Sequence, residues 1–402
     1  MSHETIAAPA AALPVRKGLP AALWALTISA FAIGTTEFVM VGILPTVAHS
    51  MNVSVSAAGL QVTLYALGVA IGGPILTALT SHVRRKPLLI FLMGLFIAGH
   101  LASAMAPNFI FLLASRFISG FAHGVFIGAG ATIAASLVAE NKRATAIAIM
   151  FAGFTIATIV GVPLGTFIGQ HLGWRATFAG VALLGSIGLI ANLILLPDHI
   201  SNGRPVQLKD QLKVLQNKHI LLVLAITAFG YGGTFVAFTY LATLLEKVTG
   251  FSAGSVSILL LVYGVAIALG NMIGGKVSNH QPARALIIIF ALQAMVLFVF
   301  TFTMHYKIPA VLTLFLMGGL SFSSVPGLQL YIVQLAEKYL PGTEAVSSSL
   351  NIAAFNVGVA IGATAGGLVV GSSIGLAGTP WIGAVLVVVG VLLTVYSYKT
   401  EK

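Results

Sequence analysis

Long apolar runs alternate with short polar connections along almost the whole chain. Each run is long enough to cross a bilayer, which needs roughly 20 apolar residues of α-helix. We predict twelve such helices, six on each side of a polar connector at residues 197–218. They lie near residues 20–45, 55–80, 86–105, 109–138, 144–170, 174–196, 219–245, 253–278, 284–304, 308–335, 343–370 and 377–398. The pattern thus predicts an all-α membrane protein with six-helix bundles at residues 19–196 and 219–398, a disordered tail at 1–18 and a short tail at 399–402.

The two halves repeat each other at a constant offset of 198 residues, for which Tyr65 falls on Tyr263 and Ser54 falls on Ser252. Because each repeat has an even number of helices, both halves have the same topology in the membrane. The repeat is then parallel, about a pseudo-two-fold axis along the membrane normal. We therefore expect two bundles that face one central cavity, lined by the first, fourth, seventh and tenth helices.

Composition agrees with this class of protein. Of the 402 residues, 58% are hydrophobic and only 7% are charged, whereas soluble domains average about 25% charged residues. A net charge of +11 could indicate a nucleic-acid partner. The basic residues lie in short connections between apolar runs, however, so we expect no such partner. The absence of cysteine excludes disulfides and cysteine-ligated metals.

The distribution of lysine and arginine predicts the orientation. Sixteen of the twenty such residues fall on the side that carries both termini and the connector, three fall on the opposite side, and Arg116 falls inside the membrane. Positively charged residues accumulate in cytoplasmic loops. Both termini and the connector are therefore expected to be cytoplasmic.

Glu37 lies well inside the first apolar run, where a carboxylate costs on the order of 2.5–3.5 kcal/mol. It stands eight residues before Pro45, which is about 12 Å along a helix. Arg116 stands seven residues after Phe109, about 11 Å from the same side. A nearby arginine favours the ionised carboxylate, whereas burial favours the protonated one, so Glu37 could titrate during a cycle. The alternative is a static ion pair that joins two helices.

His123 follows Arg116 by seven residues and lies on the same helix face. It could relay a proton, or it could only pack between helices. The second half has no buried charge in these places, since Glu37 falls on Phe235 and Arg116 falls near Leu314. We infer that the first half carries protons and that the second shapes an apolar binding wall. The candidate substrate-binding residues are Tyr65, Tyr231, Phe235, Phe238, Gln329, Phe355 and Asn356.

Four motifs together carry a family resemblance. They are GTTEF followed by GILP at residues 34–45, RFISGFAHG at 116–124, Gly153 followed by GVPLG at 161–165, and GWRATF at 173–178. The chain resembles the major facilitator superfamily, and within it the twelve-helix drug:proton antiporter branch. It is also similar to the bacterial sugar-efflux and arabinose-efflux-like permeases.

The resemblance assigns conformational roles to two further segments. In the family's cytoplasmic loop motif Arg85 fits well, but Ser81 replaces the acid that helps to latch the outward-facing state. The alternative is that the basic residues at 84–86 only determine topology. On the fifth helix, Gly153, Gly161, Pro163 and Gly165 match a motif that accompanies export. Pro163 favours a kink, and we expect the glycines to allow close contact with the eighth or eleventh helix.

These observations predict a monomeric proton-coupled antiporter in the cytoplasmic (inner) membrane. It would export a small drug-like or amphipathic molecule by alternating access, with the proton gradient as driving force and no cofactor. Its partners would be the substrate, protons and the lipid bilayer. The alternative is efflux of a sugar, nucleoside or other metabolite. A channel is less compatible with the internal repeat, and a membrane-embedded enzyme would need a cluster of catalytic polar residues that the sequence does not show.

Overall fold

Twelve helices of the computed structural model are long and apolar enough to cross a membrane. The structure describes residues 20–80, 82–139, 142–198, 200 and 208–401, and the predicted tail at 1–18 lies outside them. Within these ranges the regular structure is helical, with no strand. The prediction of an all-α fold with twelve spanning helices is therefore confirmed.

Nine of the helices run without interruption, and three contain a break or a π turn. The helices are α1 (Ala21–Ser50), α2 (Val55–Leu79), α3 (Arg85–Ala104), α4 (Phe109–Ser136), α5 (143–172), α6 (Trp174–Leu195), α7 (Lys218–Lys247), α8 (Ala253–Ser278), α9 (Pro282–Thr303), α10 (Lys307–Tyr339), α11 (Glu344–Val370) and α12 (Thr379–Thr400). Between α6 and α7 the connector contains a short helix at Leu208–Gln216. We call the end of the molecule that holds this helix the connector end.

The interruptions fall inside α5, α7 and α10. A π turn occupies Ala157–Gly161 in α5, and another occupies Thr227–Tyr231 in α7. The α-helix of α10 stops at Ser321 and resumes at Ser324. Such irregular turns free backbone groups and re-aim side chains, and they are frequent at functional sites.

The predicted parallel repeat is visible in matching contacts of the two halves. Ser54 caps α2 by accepting a hydrogen bond from the backbone three residues later, and Ser252 caps α8 in the same way. The hydroxyl of Tyr65 on α2 lies 3.1 Å from Nδ1 of His123 on α4. At the same offset, the hydroxyl of Tyr263 on α8 lies 2.7 Å from Oγ of Ser321 on α10. The two bundles therefore place equivalent helices in equivalent positions.

The bundles meet through α2 with α11 and through α5 with α8. At the end opposite the connector, Ser56 Oγ donates a hydrogen bond of 2.6 Å to the carbonyl oxygen of Gly367. Ser257 Oγ donates one of 2.9 Å to Oε1 of Gln170. An apolar cluster that includes Leu44 and Tyr240 closes the same end. The two halves are thus joined on the side away from the connector.

The motif glycines of α5 face α1, so the prediction that they pack against α8 or α11 is wrong. A Cβ atom at Gly153 would lie 2.3 Å from the Thr27 carbonyl oxygen, and one at Gly165 would lie 2.5 Å from Val39. Gly161 is equally close to Thr35. Because these glycines recur every four or eight residues, they form one stripe on the helix. The contacts of α5 with α8 come from other residues: the Thr158 carbonyl oxygen lies against Gly264, and Gln170 binds Ser257.

Pro163 lies in the first turn of the helical segment that follows the π turn of α5. Inside a continuous helix a proline removes one backbone hydrogen bond, and its ring crowds the carbonyl of the residue four positions earlier, which here is Ile159 in the π turn. The irregularity of α5 therefore lies one turn before Pro163, at Ala157–Gly161.

Candidate functional site

Glu37 lies near the middle of α1, and its side chain keeps 12% of its surface exposed. Its Oε2 atom lies 3.9 Å from Nε2 of His123 on α4. The structure therefore brings together two of the three residues predicted to carry protons. The distance is longer than a direct hydrogen bond, so a proton passes between the carboxylate and the imidazole only through a water beside them or after a small approach of the two groups.

Arg116 is completely buried and lies at the depth predicted from the sequence. Its hydrogen-bond partner is Thr36, the residue before Glu37, and not Glu37 itself. One terminal nitrogen of its guanidinium donates a hydrogen bond of 2.8 Å to Oγ1 of Thr36, and the other donates a hydrogen bond of 3.3 Å to the Thr36 carbonyl oxygen. The guanidinium carbon also lies 4.0 Å from the centre of the Tyr65 ring. Arg116 thus joins α1, α2 and α4, with no direct ion pair to Glu37.

Two histidines lie on either side of this arginine. The Tyr65 hydroxyl, whose ring stacks on Arg116, reaches Nδ1 of His123 at 3.1 Å. On the other side, Oγ1 of Thr36 lies 2.6 Å from Nε2 of His100, and Nδ1 of His100 lies 2.7 Å from the Phe96 carbonyl oxygen. Polar contacts therefore connect Glu37, His123, Tyr65, Arg116, Thr36 and His100 in that order.

The hydrogen bonds assign different roles to the two histidines. The Phe96 carbonyl oxygen can only accept, so Nδ1 of a neutral His100 carries the proton and its Nε2 accepts from the Thr36 hydroxyl. His100 then donates from Nδ1 to the Phe96 carbonyl, and both of its nitrogens are occupied. His123 has only Tyr65 as a close partner, and its second nitrogen points towards Glu37. His123 is therefore the histidine that is free to exchange a proton with the carboxylate.

Aromatic side chains of the second bundle form a cluster that includes Phe322, a residue that the sequence did not single out. Its ring centre lies 5.4 Å from that of Tyr231 and 6.5 Å from that of Phe235. We call the following residues the aromatic cluster: Tyr231, Phe235, Phe238, Phe322 and Phe355. Four of them were predicted to bind substrate, and the structure brings these four together.

Phe38 connects the aromatic cluster to the helix that carries Glu37. It follows Glu37 in α1, and its ring packs edge-on against Phe322 with a centre distance of 5.4 Å. It also lies 6.5 Å from the ring of Phe238. The residue that follows Glu37 in one bundle therefore packs directly against the aromatic cluster of the other.

The remaining predicted substrate-binding residues lie apart from one another. Tyr65 belongs to the arginine side of the site. Gln329 lies in the connector-end segment of α10, where its Oε1 accepts 3.2 Å from Ser348 Oγ. Asn356 is buried on α11 beside Phe355, and its amide oxygen has no hydrogen-bond partner. The substrate-binding set predicted from sequence is therefore divided between the two bundles.

In the cytoplasmic loop motif between the second and third helices, Ser81 lies outside the described residues. Arg85 is buried in the first turn of α3. Its neighbour Lys86 forms an ion pair of 2.7 Å with Asp198, just after the end of α6. The basic residues of this motif thus hold the start of α3 close to the end of α6.

Comparisons with known proteins agree with this architecture. The profile of the Major Facilitator Superfamily matches residues 26–343. The chain is 54% identical to the "Uncharacterized MFS-type transporter YtbD" of Bacillus subtilis (strain 168), over 95% of this chain and 96% of that protein. It is 37% identical to the "Inner membrane transport protein YdhP" of Escherichia coli (strain K12), over 94% and 96% of the two chains.

A solved structure supports the same fold. The crystal structure of a D-xylose–proton symporter superposes with a TM-score of 0.76 at 17% identity, over 94% of this chain and 97% of that one. At this identity the likeness concerns the fold alone. With the family profile and the two relatives, it leaves one assignment: the chain belongs to the Major Facilitator Superfamily and is a multi-pass membrane transporter, not an enzyme.

Proposed function

We propose that this transporter is a proton-coupled antiporter that exports a small, largely apolar molecule. The observation that carries the proposal is the position of Glu37. Among the acids of the described spans it lies farthest from any helix end, its side chain is partly accessible, and its carboxylate faces His123. A carboxylate is costly inside a membrane and is expected there only if its charge is used.

The surroundings of Glu37 suit a group that alternates between two protonation states. Arg116 supplies a permanent positive charge nearby, but it is held by Thr36 and Tyr65 and does not bind the carboxylate directly. The ionised form of Glu37 is therefore stabilised through space without being locked in an ion pair. His123 can pass a proton to the carboxylate, or receive one from it, through a bridging water or after a small approach.

Competition between proton and substrate would produce exchange in opposite directions. In the proposed cycle, a proton that binds Glu37 from outside displaces the substrate, and loss of that proton to the cytoplasm allows the next substrate to bind. The two bundles rock about the site between these steps. The distribution of lysine and arginine supports a cytoplasmic connector end, and a location in the inner membrane accords with the name of YdhP.

The aromatic cluster supports an apolar or aromatic substrate. Its rings offer large contact area and edge-to-face geometry, and they provide few hydrogen-bonding groups for a polyhydroxylated ligand. Efflux of a sugar, nucleoside or other metabolite remains the alternative, for which the unpartnered amide oxygen of Asn356 is a candidate contact.

Transport in proteoliposomes tests the proposal. A thermal-stability screen of amphipathic dyes, sugars and nucleosides first identifies a ligand, because ligands that bind the folded state raise its stability. Uptake of that ligand is then measured with and without an imposed pH gradient, for the wild type and Glu37→Gln. We expect uphill transport in the wild type only, and only with the gradient. Uphill transport at the same rate with and without the pH gradient would refute proton coupling.

A further inference from the structure

A groove of about 670 Å³ opens on the outer face of the second bundle, between α8, α9 and α10. Its walls are almost entirely apolar, and we call it the α8–α10 groove. Typical lining residues are Leu269, Ile273, Val277, Ile288, Leu292 and Leu316. Several of these side chains are largely exposed, for example Ile273 at 61%. In a protein that spans a membrane, such a surface faces the acyl chains of lipids.

The depth of the groove comes from glycines at the crossing of α8 and α10. Gly270 and Gly274 touch the backbone of α10, so these helices approach closely. Gly319 lies in the wall of the groove, and a Cβ atom there would meet only the Ala266 carbonyl oxygen at 3.7 Å. The space beside Gly319 is therefore open and belongs to the groove.

One basic residue, Arg284, lies at the connector end of the groove. Its Nε donates a hydrogen bond of 2.5 Å to the hydroxyl of Tyr398 on α12, which fixes the position of the guanidinium. None of the described carboxylates forms an ion pair with Arg284. Its two terminal nitrogens make no hydrogen bond to the described part of the chain, so they can bind an external anion.

The internal repeat shows that this lack of a partner is specific to the second bundle. Arg284 is the repeat equivalent of Lys86, and Lys86 is neutralised by Asp198 at 2.7 Å. The repeat equivalent of Asp198 is Tyr396, and the hydroxyl that reaches Arg284 comes from Tyr398. Where the first bundle supplies an acid to its cation, the second bundle supplies only a phenol. No acid of the described residues fills this place, so an anion from outside the chain can occupy it.

We propose that the α8–α10 groove binds one anionic phospholipid, with an acyl chain along the apolar walls and the phosphate on Arg284. The groove is long, apolar and open to the bilayer, which suits an acyl chain. Basic pockets between spanning helices on the cytoplasmic side bind anionic head groups, and the connector end is the side where lysine and arginine accumulate. A second copy of the chain fits less well, because a two-fold contact centred on this groove would bring two Arg284 side chains together.

This site touches the break in α10 from the side opposite the aromatic cluster. Leu320 and Ser323 line the groove, and Phe322 between them belongs to the aromatic cluster. A lipid chain in the groove would therefore support the interrupted form of α10 from outside. This links lipid occupancy to the position of Phe322, and it requires no assumption about the substrate or about proton coupling.

Native mass spectrometry of the purified full-length protein tests the proposal. The protein is titrated with phosphatidylglycerol and, separately, with phosphatidylethanolamine of the same acyl chains. We expect phosphatidylglycerol to bind one site more tightly. Arg284→Gln should weaken that binding at least about tenfold, since a hydrogen bond to a charged group is lost. Lys276→Gln is the matched control: it removes an exposed charge at the same end, outside the groove, and should bind like the wild type.

A second pair of variants tests the acyl-chain part of the site. Gly319→Leu should fill the groove and abolish tight binding, and leucine also favours the helix over glycine. Gly94→Leu is its control, because no atom lies within 4 Å of a Cβ added there. Melting temperatures in detergent establish that the variants fold. If Gly319→Leu does not fold, the comparison of Arg284→Gln with Lys276→Gln decides whether the proposal holds.

Three results with the two lipids and the charge variants would overturn the proposal. They are equal affinity for the two lipids, wild-type affinity for phosphatidylglycerol in Arg284→Gln, or an equal loss of affinity in Lys276→Gln. Wild-type affinity in a folded Gly319→Leu variant would also overturn it. Conversion of the protein to a dimer that excludes lipid would assign the groove to a second copy instead.

Discussion

Nε2 of His123 lies 3.9 Å from Oε2 of Glu37, and no other basic group approaches the carboxylate as closely among the described residues. The arginine predicted to share this depth binds Thr36 instead. The pair that can exchange a proton is therefore carboxylate and imidazole, both groups whose charge can change. The arginine is a fixed background charge that positions them.

Glu37→Gln should fold and lose uphill export driven by a pH gradient, because glutamine keeps size and hydrogen bonding but is fixed in the neutral state. Counterflow, which needs no net proton movement, should survive. Both are measured as ligand fluxes in proteoliposomes. Glu337→Gln, near the connector end of α10, is the control and should transport like the wild type. If Glu37→Gln still concentrates ligand at the wild-type rate, Glu37 is not the coupling site.

Tyr65→Phe should alter the pH dependence of transport while the fold is kept. The substitution removes the hydroxyl that contacts Nδ1 of His123 but retains the ring that stacks on Arg116. Loss of one such hydrogen bond is worth about 1 kcal/mol, so we expect roughly a fivefold change in rate near neutral pH.

The internal repeat offers a matched control for this variant. Tyr263→Phe removes the equivalent hydroxyl in the second bundle, where the partner is Ser321. Serine does not titrate, so the shape of the pH–rate profile should be that of the wild type. Equal changes of the profile in both variants would argue against a role of His123 in proton transfer.

Arg116→Ala should impair transport more than it impairs folded yield in detergent. Arg116→Lys should also be defective, because lysine lacks the planar fork that binds two atoms of Thr36 and stacks on Tyr65 at the same time. The measurements are specific transport rate and yield of monodisperse protein. A collapse of yield with normal specific activity would show that Arg116 is only a structural link between helices.

Phe322→Ala should weaken apparent affinity for an aromatic ligand, because the cluster ring that contacts Phe38, Tyr231 and Phe235 is lost. Edge-to-face pairs contribute about 0.5–1.5 kcal/mol each, so the KM should rise roughly tenfold. Phe298→Ala is a suitable control, since that side chain is 54% exposed on the outside of α9. An unchanged KM in Phe322→Ala would separate the cluster from the substrate site.

A double-mutant cycle of Phe38→Ala and Phe322→Ala would measure whether the two bundles are coupled at this contact. The rings are 5.4 Å apart and belong to different bundles. We expect a coupling energy of about 0.5–1.5 kcal/mol in ligand binding. Additive effects would indicate that the two rings act independently.

The parts of the site that the sequence predicted are those marked by charge or by the repeat. Glu37 and Arg116 stand out because a charge in an apolar run is costly, and helix geometry gives their common depth. The partner of Arg116 was not predictable, because a long side chain can reach several groups at that depth. Thr36 was missed for the same reason, although it adjoins Glu37. His100 is recognisable in the sequence as a second histidine within the membrane that could carry a proton, but its contact with Thr36 was not predictable.

Other features depend on local backbone geometry that periodicity does not report. Phe322 enters the aromatic cluster because α10 is interrupted after Ser321. Hydrophobic periodicity alone misses this break, although Pro326 and three nearby serines mark it, because in an unbroken helix the proline ring would crowd the carbonyl of residue 322. Similarly, the spacing of Gly153 and Gly165 indicates a close helix contact but not which neighbouring helix makes it. Small changes in helix rotation decide that choice.

The equivalence of the Tyr65–His123 and Tyr263–Ser321 contacts has a consequence for how such a protein can diversify. If the two halves descend from a duplicated ancestor, the same buried position now holds an ionisable group in one copy and a neutral hydroxyl in the other. A single exchange, Ser321→His, would place an imidazole next to a tyrosine that already contacts this position. The architecture therefore contains a place for a second titratable group, so the number of protons moved per substrate could evolve without a new fold.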